Sequence, residues 1–217
     1  MRRGEFASWI QAGVGDTWEH GWLEHDLRTD APPPAPSSAS AFIVTGSSSN
    51  VTEQAPWMLR AEPYLRDLAG SGTPVLGICF GHQILAHALG GKVTKNPRGR
   101  EIGTVSVTKV AGDPLFSSLG DPFAVNATHV ESVVALPPGA RLLATTSLDP
   151  YAAYALGETV RCVQFHPEID GDAMRGYIGA RAHFMRAEGL DPESTLARAH
   201  DADGAAILRS FVRHFVR

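Results

Sequence analysis

Two segments of the chain, far apart in sequence, carry residue types that could do nucleophilic chemistry. The first contains Cys79 between Gly77 and Gly81, the cysteine counterpart of the Gly-x-Ser-x-Gly nucleophile elbow. An apolar run at residues 75–78 precedes it and a helical period follows it, so Cys79 lies where a buried strand turns into a helix. Unpaired N–H groups and the dipole at a helix N-terminus favour a thiolate over a thiol. A free cysteine is more often a small buried apolar residue, but the two glycines and the change of period favour a reactive thiol.

The second segment is His166-Pro167-Glu168, at the end of another apolar run. Residues two apart on an extended chain face the same side, so the imidazole and the carboxylate emerge together. The carboxylate would fix the tautomer of the imidazole, and the imidazole would keep a nearby cysteine as thiolate and shuttle its proton. A lone histidine is more often structural. Together with the Cys79 pattern, however, this segment predicts a triad of Cys79, His166 and Glu168.

The elements around these segments follow a strand–helix rhythm. A β-type run at residues 41–45 leads into a turn at Gly46, a helix is predicted over 56–68, and a strand over 75–78 leads into Cys79. Such alternation indicates an open parallel sheet with right-handed crossovers and helices on both faces. Ligands bind beyond the carboxyl ends of the strands in these sheets, which is where the Gly46 turn and Cys79 both lie.

The pattern changes after Gly91, where apolar and polar residues alternate without a helical period. We expect antiparallel strands or hairpins there, at residues 92–110, 121–127, 141–147, 152–156 and 160–165. Amphipathic periods predict helices at residues 2–13, 172–186 and 205–216. Three local features are also expected: a short strand at residues 22–23, an extended Pro/Ser connector at 31–40, and a helix break near Pro63.

Composition limits the class of protein. With 217 residues, 43% hydrophobic and 19% charged, the chain fits one globular domain over residues 1–217. The net charge of −4 gives no electrostatic footprint for nucleic acid, and no apolar run reaches the ~20 residues of a membrane helix. The first residues lack the apolar core of a signal peptide. Cys79 and Cys162 make no disulfide framework, so we expect a reducing, cytoplasmic compartment.

No pattern in the sequence indicates a metal or a cofactor. His20 and His25, like His82 and His87, are five residues apart, and that spacing does not stack on one helical face. The Gly-rich stretches lack the lysine of a P-loop, and Gly-x-Gly-x-x-Gly does not occur. We therefore predict neither a metal site nor a cofactor.

Segments 75–83 and 164–168, in this order, resemble the motifs of class I glutamine amidotransferases. The likeness is to free-standing members similar to the glutaminase domain of GMP synthase and to γ-glutamyl peptidases. It implies a flavodoxin-like, three-layer α/β fold: an open, mostly parallel sheet with helices on both faces and a small antiparallel β extension. Family members open with an apolar strand that we do not find here. One hypothesis is that the true start of the chain lies upstream of Met1; the alternative is that the missing strand lowers stability or activity.

The resemblance also implies a role for each motif residue. Cys79 would attack the side-chain amide carbon, His166 would protonate the leaving nitrogen and later activate water, and Glu168 would orient His166. The residues expected to form the oxyanion hole are Gly46, Ser47 and Phe80. The residues expected to bind substrate are Gln83, Glu101, His129 and Glu131. Two positions depart from the family: the turn Gly46-Ser47-Ser48 lacks a common proline, and Glu131 replaces the usual Asp.

The implied reaction is hydrolysis of the side-chain amide of glutamine, or of a γ-glutamyl compound, through a cysteine thioester with release of ammonia. The implied partners are that small molecule and a separate synthetase that would receive the ammonia; neither nucleic acid nor membrane is expected. The alternative is a non-catalytic scaffold or regulatory relative that keeps the fold without turnover. Retention of all three triad residues favours the enzyme.

Overall fold

The computed structural model describes residues 6–216. The helices in this range are α1 Phe6–Val14, α2 Pro56–Gly70, α3 Phe80–Ala88, α4 Gly171–Ala187, α5 Pro192–Arg198 and α6 Gly204–Phe215. The strands are β1 Phe42–Val44, β2 Val75–Ile78, β3 Lys92–Lys95, β4 Glu101–Lys109, β5 Phe123–His129, β6 Glu131–Ala135, β7 Arg141–Thr145, β8 Ala153–Leu156 and β9 Val160–Val163. Residues 2–5 of the first predicted helix lie outside the described residues.

One sheet organises the fold, with the strand order β1-β2-β9-β8-β7-β4-β5. β1, β2 and β9 are parallel. β8, β7, β4 and β5 continue the sheet with antiparallel pairings, while β3 and β6 form a separate antiparallel pair. The expected α/β architecture with an antiparallel addition is confirmed, and most of that addition is continuous with the parallel strands.

Helices cover both faces of the sheet, as the fully buried strands β2 and β9 require. On one face α1 and α6 contribute Ile10, Val14 and Leu208, which share a core cluster with Leu76 and Ile78 of β2. On the other face α2 and α3 pack against the alternate residues of β2 and β9. Successive residues of a strand point to opposite faces, so the fully buried β2 supplies both cores. α4 and α5 pack against β4 beyond this layer.

The register of β2 with β9 brings the two sequence motifs to the same edge. Ile78 pairs with Val163, and the N–H of Cys79 donates to the carbonyl of Val163 at 2.9 Å. The chain then continues beyond β9 to His166, whose N–H donates to the carbonyl of Asn126 at 2.8 Å. The elbow and the histidine segment are therefore fixed to each other by backbone hydrogen bonds.

Two local expectations are wrong. Trp22 and Leu23 form no strand: their side chains are 40% and 78% exposed, and a strand needs at least one face to bury. α2 is continuous through Pro63, because Pro63 lies on the exposed side of the helix. Proline leaves the carbonyl four residues earlier without a partner, and on that side water can satisfy it.

α5 was not expected from the sequence, although its start carries a local signal. The carboxylate of Asp191 accepts a hydrogen bond from the N–H of Ser194 at 3.1 Å, and Pro192 occupies the first helical position. This pairing of an N-cap aspartate with proline is a common way to begin a helix.

The structure also bears on the region before β1 and on membrane-spanning helices. Between residues 6 and 41 the structure has no strand before β1, and the single-domain organisation stays a prediction. None of the helices within residues 6–216 is long and apolar enough to cross a membrane.

We expect Gly81→Ala to destabilise the protein by about 3 kcal/mol or more, as severe overpacking does. A Cβ on Gly81 would lie 1.9 Å from the carbonyl oxygen of Val44, so α3 would have to move away from β1. The matched control is Gly179→Ala in α4, where a Cβ meets nothing within 4 Å and should stabilise the helix by about 0.5–1 kcal/mol. Urea unfolding measures both, and equal effects at the two positions would contradict this packing.

Candidate active site

Cys79 lies on a strained turn at the start of α3. Its backbone angles are φ 51° and ψ −101°, a region that non-glycine residues rarely occupy. The neighbouring glycines make the turn possible: a Cβ on Gly77 would lie 2.8 Å from Cδ1 of Leu85 and 2.9 Å from the carbonyl oxygen of Gly81. The turn therefore has the geometry of a nucleophile elbow, with the thiol at the N-terminus of a helix.

His166 and Glu168 form a buried pair beside this turn. Nδ1 of His166 is 2.6 Å from Oε1 of Glu168, and the Glu168 side chain is 0% exposed. Oε2 of Glu168 has no hydrogen-bond partner among residues 6–216. Within that range the carboxylate therefore hydrogen-bonds only to the imidazole of His166, through Oε1. The Nδ1–H donates to the carboxylate, which leaves Nε2 of the imidazole as the nitrogen that can exchange a proton with Cys79, whose Sγ lies 4.0 Å from the carbonyl oxygen of Thr128.

Interactions within the group of Cys79, His166 and Glu168 shift the pKa values of Cys79 and His166. Burial raises the pKa of Cys79, but the charge and hydrogen bond of His166, with the charge of His129, outweigh burial and lower that pKa below its ordinary value. Burial lowers the pKa of His166, but the charges of Glu168 and Cys79 and their hydrogen bonds raise it to about 10. These opposite shifts favour a thiolate–imidazolium pair over a neutral thiol and imidazole.

Two of the expected oxyanion-hole residues adjoin Cys79 or His166, and the third closes the intervening turn. A Cβ on Gly46 would lie 2.9 Å from Cε1 of His166, so the chain passes the imidazole at a distance that only glycine allows. Oγ of Ser47 accepts a hydrogen bond from the N–H of Ser49 at 3.1 Å, which closes the turn. Phe80 is the first residue of α3, so its N–H has no acceptor within the helix.

The four expected substrate-binding residues form a buried polar network. Gln83, Glu101, His129 and Glu131 are 3%, 2%, 6% and 5% exposed. Nε2 of Gln83 donates to the carbonyl of Glu131 at 2.8 Å and to Oε1 of Gln164 at 2.9 Å. The ring of His129 bridges the network, with Nδ1 2.9 Å from the carbonyl of Glu131 and Nε2 3.0 Å from Oε2 of Glu101.

This arrangement favours the cationic form of His129. Its ring nitrogens face a backbone carbonyl and a carboxylate oxygen, and only imidazolium donates from both nitrogens. Burial lowers the pKa of His129, but the hydrogen bond and charge of Glu101 and the charge of Asp149 raise it above its ordinary value. Glu101 in turn accepts a hydrogen bond from Oγ1 of Thr146 at 2.6 Å. His129 thus adds a second positive charge near Cys79.

Glu131 uses its carboxylate to hold the segment that follows the Gly46 turn. Oε2 accepts a hydrogen bond from the N–H of Val51 at 2.7 Å, with the N–H of Thr52 at 3.4 Å. Oε1 accepts a hydrogen bond from Oγ1 of Thr52. Because both oxygens are engaged, Glu131 in this conformation anchors the residue 51–53 turn, and its predicted contact with substrate would require that anchor to open.

Sequence reasoning missed several residues that shape the site. Phe6 stacks on His166 with ring centroids 5.8 Å apart, and Asn126 anchors the His166 backbone. Burial, together with the charges of Glu168 and Cys79, raises the pKa of Tyr177 in α4. Phe6 and Tyr177 carried only the periodicity of ordinary helix core, and Asn126 only the alternation of a strand, so no local signal marked them.

Neither a metal nor a reactive second thiol is indicated at the site. Within residues 6–216 no group of three or more His, Cys, Asp or Glu side chains is arranged to hold a metal ion. Burial raises the pKa of Cys162 to about 12, so its thiol stays protonated and inert near neutral pH.

Comparison with known proteins places this geometry in a family. The family model "Glutamine amidotransferase class-I" matches residues 25–181. The chain belongs to the class I glutamine amidotransferase family. A "GMP synthase [glutamine-hydrolyzing]" of Thermomicrobium roseum is 41% identical over 137 residues, 61% of this chain and 24% of that protein. "Gamma-glutamyl peptidase 4" of Arabidopsis thaliana is 33% identical over 139 residues, 61% of this chain and 55% of that protein.

A solved structure of the same family has a similar fold. The crystal structure of a glutamine amidotransferase from Thermotoga maritima superposes with a TM-score of 0.68 at 26% identity, covering 81% of this chain and 78% of that chain.

The chain spans about a quarter of the length of its GMP synthase relative and about half of the length of the plant peptidase. What those whole proteins do is thus not carried over to this chain by similarity alone.

We expect iodoacetamide at pH 7 to alkylate Cys79 and to leave Cys162 unmodified, because only the first pKa is lowered. His166→Gln should raise the pKa of Cys79, since burial then acts with less opposition, and slow alkylation at pH 7 by about tenfold or more. Peptide mass spectrometry after timed alkylation measures both thiols. Unchanged alkylation of Cys79 in His166→Gln would show that the imidazole does not support the thiolate.

We expect Glu131→Asp to loosen the residue 51–53 turn, because the shorter side chain cannot reach Val51 and Thr52. Losing hydrogen bonds to a charged group costs about 1.5–3 kcal/mol each, so hydrogen exchange of the Val51 and Thr52 amides should accelerate. Glu131→Gln keeps the length and one acceptor and serves as the matched control with a smaller effect. Unchanged exchange in Glu131→Asp would contradict the anchoring role.

Proposed function

We propose that this amidotransferase hydrolyses the side-chain amide of glutamine, or of a related γ-glutamyl compound, through a thioester on Cys79. The observation that carries the proposal is the position of one imidazole, His166, between a thiol on an elbow turn and a buried carboxylate. Such an arrangement can generate a nucleophile, protonate a leaving nitrogen and activate water in sequence.

The proposed first half-reaction follows from these charges. The thiolate of Cys79 attacks the side-chain carbonyl carbon, and the developing oxyanion meets the N–H of Phe80 and the Gly46–Ser47 turn. The imidazolium of His166 gives its proton to the amide nitrogen, the C–N bond breaks, and ammonia leaves. The acyl group remains on sulfur as a thioester, while His166 becomes neutral and Glu168 holds its Nδ1–H.

The second half-reaction returns the site to its starting state. Neutral His166 accepts a proton from water, and the resulting hydroxide attacks the thioester carbonyl carbon. The C–S bond breaks, glutamate is released, and the thiolate–imidazolium pair forms again. Both half-reactions therefore use the same base in opposite protonation states.

The buried network sets a condition on substrate entry. Cys79 is 6% exposed, and the residues expected to bind the α-amino and carboxylate groups of the substrate bond to one another. A substrate can reach the thiol only when some covering contact opens, and the Glu131 anchor on the residue 51–53 turn is one such contact. Binding energy from those polar groups would then be available to order the oxyanion turn.

The fate of the ammonia is a further part of the proposal. The GMP synthase relative is named as glutamine-hydrolysing and is about four times as long as the segment this chain matches. We propose that ammonia passes from this chain to a separate synthetase. If the substrate is instead a γ-glutamyl peptide, the leaving group is an amine and no synthetase is required, as the name of the plant relative suggests for that protein.

The test combines covalent labelling with product release. A glutamine-like chloroketone should label Cys79, and Cys79→Ala should abolish labelling. Ammonia release from glutamine, compared with amine release from γ-glutamyl dipeptides, should identify the substrate. Labelling of Cys162 would reject the assignment of the nucleophile. Absence of both labelling and release would favour the non-catalytic relative.

We expect Glu168→Gln to slow turnover less than His166→Ala does, by a ratio of about 10- to 100-fold in kcat. The carboxylate orients and charges the base, whereas removing the base removes proton transfer itself. Steady-state kinetics on whichever substrate is identified measures both variants. Equal losses would contradict the roles given to the two residues.

A further inference from the structure

The first turn of α1 covers the imidazole of His166. The rings of Phe6 and His166 are nearly parallel, 13° apart, with centroids separated by 5.8 Å. A Cβ placed on Gly46 would lie 2.9 Å from Cε1 of His166 and 3.4 Å from Cζ of Phe6, so the Gly46 turn also touches both rings. His166 is 3% exposed under this cover.

Phe6 is held in that position by contacts on its own helix and across to α4. Ile10 and Val14 of α1 are buried in the core cluster that includes α6. Trp9 meets the Phe6 ring edge-on at 6.0 Å and the Tyr177 ring at 6.4 Å. These contacts set the plane of the Phe6 ring and face it toward the imidazole.

The face of an aromatic ring carries partial negative charge, and it attracts a cation within about 6 Å of its centre. The imidazole beneath Phe6 must be protonated to hold the Cys79 thiolate, yet burial opposes that charge. An aliphatic side chain would exclude water equally well but would not attract the cation. A phenyl face excludes water and still favours the charged ring.

We propose that Phe6 is a positioning residue for the base: its ring face stabilises the imidazolium of His166 and fixes the plane in which that ring meets Cys79. The inference rests on the proposed function, in which His166 is the base. It adds a residue of α1, outside both sequence motifs, to the machinery that keeps the thiol ionised.

Other charged and titratable groups also act on the pair, and a test has to leave them in place. Glu168 faces Nδ1 of His166, and His129 acts on Cys79 from β5. Further groups surround these residues on β4, the loop before β8, and α4: Glu101, Asp149, Tyr177 and Arg181. The change must therefore alter the Phe6 ring without moving its neighbours.

Fluorination of the ring meets this requirement. Replacing Phe6 by difluoro- and pentafluorophenylalanine withdraws electrons from the ring face while nearly preserving its shape. The readout is the pH titration of the His166 ring by ¹⁵N NMR, with its resonances assigned by their absence in His166→Gln. The midpoint of this titration reports the pKa of the imidazolium that the Phe6 ring faces.

We expect the midpoint to move to lower pH as fluorination increases, by roughly 0.4 to 1.5 units for the pentafluoro ring. The electron-poor ring face no longer favours the imidazolium, so His166 should lose its proton more readily. Phe6→Leu, which keeps an apolar cover but has no ring face, should shift the midpoint in the same direction. No shift in the fluorinated proteins would overturn the proposal.

Two controls separate the ring face from general effects on packing. Pentafluorophenylalanine at Phe116, whose ring packs against Phe123 in the core, should leave the midpoint in place. Leu65→Ala, in the core on the opposite face of the sheet, should lower the thermal stability without moving the midpoint, and a shift as large as that of Phe6→Leu would overturn the specific role. The titration needs no substrate, so a wild-type His166 ring that is neutral at pH 8 refutes the imidazolium itself, whereas a fluorination series without effect refutes only the role of Phe6.

Discussion

The parallel pairing of β2 with β9 is the constraint on which the rest of the site depends. It fixes Cys79 to Val163 by a backbone hydrogen bond, and the chain leaving β9 is then fixed to β5 at His166. Two motifs that are far apart in sequence thus meet at one sheet edge without relying on side-chain contacts. The strained Cys79 backbone is tolerable because Gly77 and Gly81 allow β1, β2 and α3 to approach so closely.

The electrostatics of this edge are cooperative because every charge there is buried. A thiolate, two imidazoliums and two carboxylates would each be costly alone in such a place. Here Glu168 offsets His166, Glu101 offsets His129, and both cations lie near the single thiolate of Cys79. The arrangement accounts for the opposite pKa shifts of two buried thiols, lowered for Cys79 and raised to about 12 for Cys162.

The sequence predicted the features that are local and missed those that are distant. The glycines around Cys79 and the two-residue spacing of His166 and Glu168 are encoded in short segments, so their turn and their contact could be expected. The bond from Val51 to Glu131 joins residues 80 positions apart, and Phe6 and His166 are still farther apart in sequence, so neither contact left a local pattern. The strand expected at Trp22 failed for a related reason, because β-propensity without a face to bury gives no strand.

The central claim is that the resting site holds a thiolate beside a protonated His166. ¹⁵N NMR of the histidine rings tests it most directly, with the His166 resonances assigned by their absence in His166→Gln. Because Glu168 and Cys79 overcome the burial of His166 and raise its pKa to about 10, both ring nitrogens should be protonated at pH 8. In Cys79→Ser, which lacks the thiolate, the ring should lose its proton at lower pH. A neutral His166 ring at pH 8 in the wild-type protein would contradict the account.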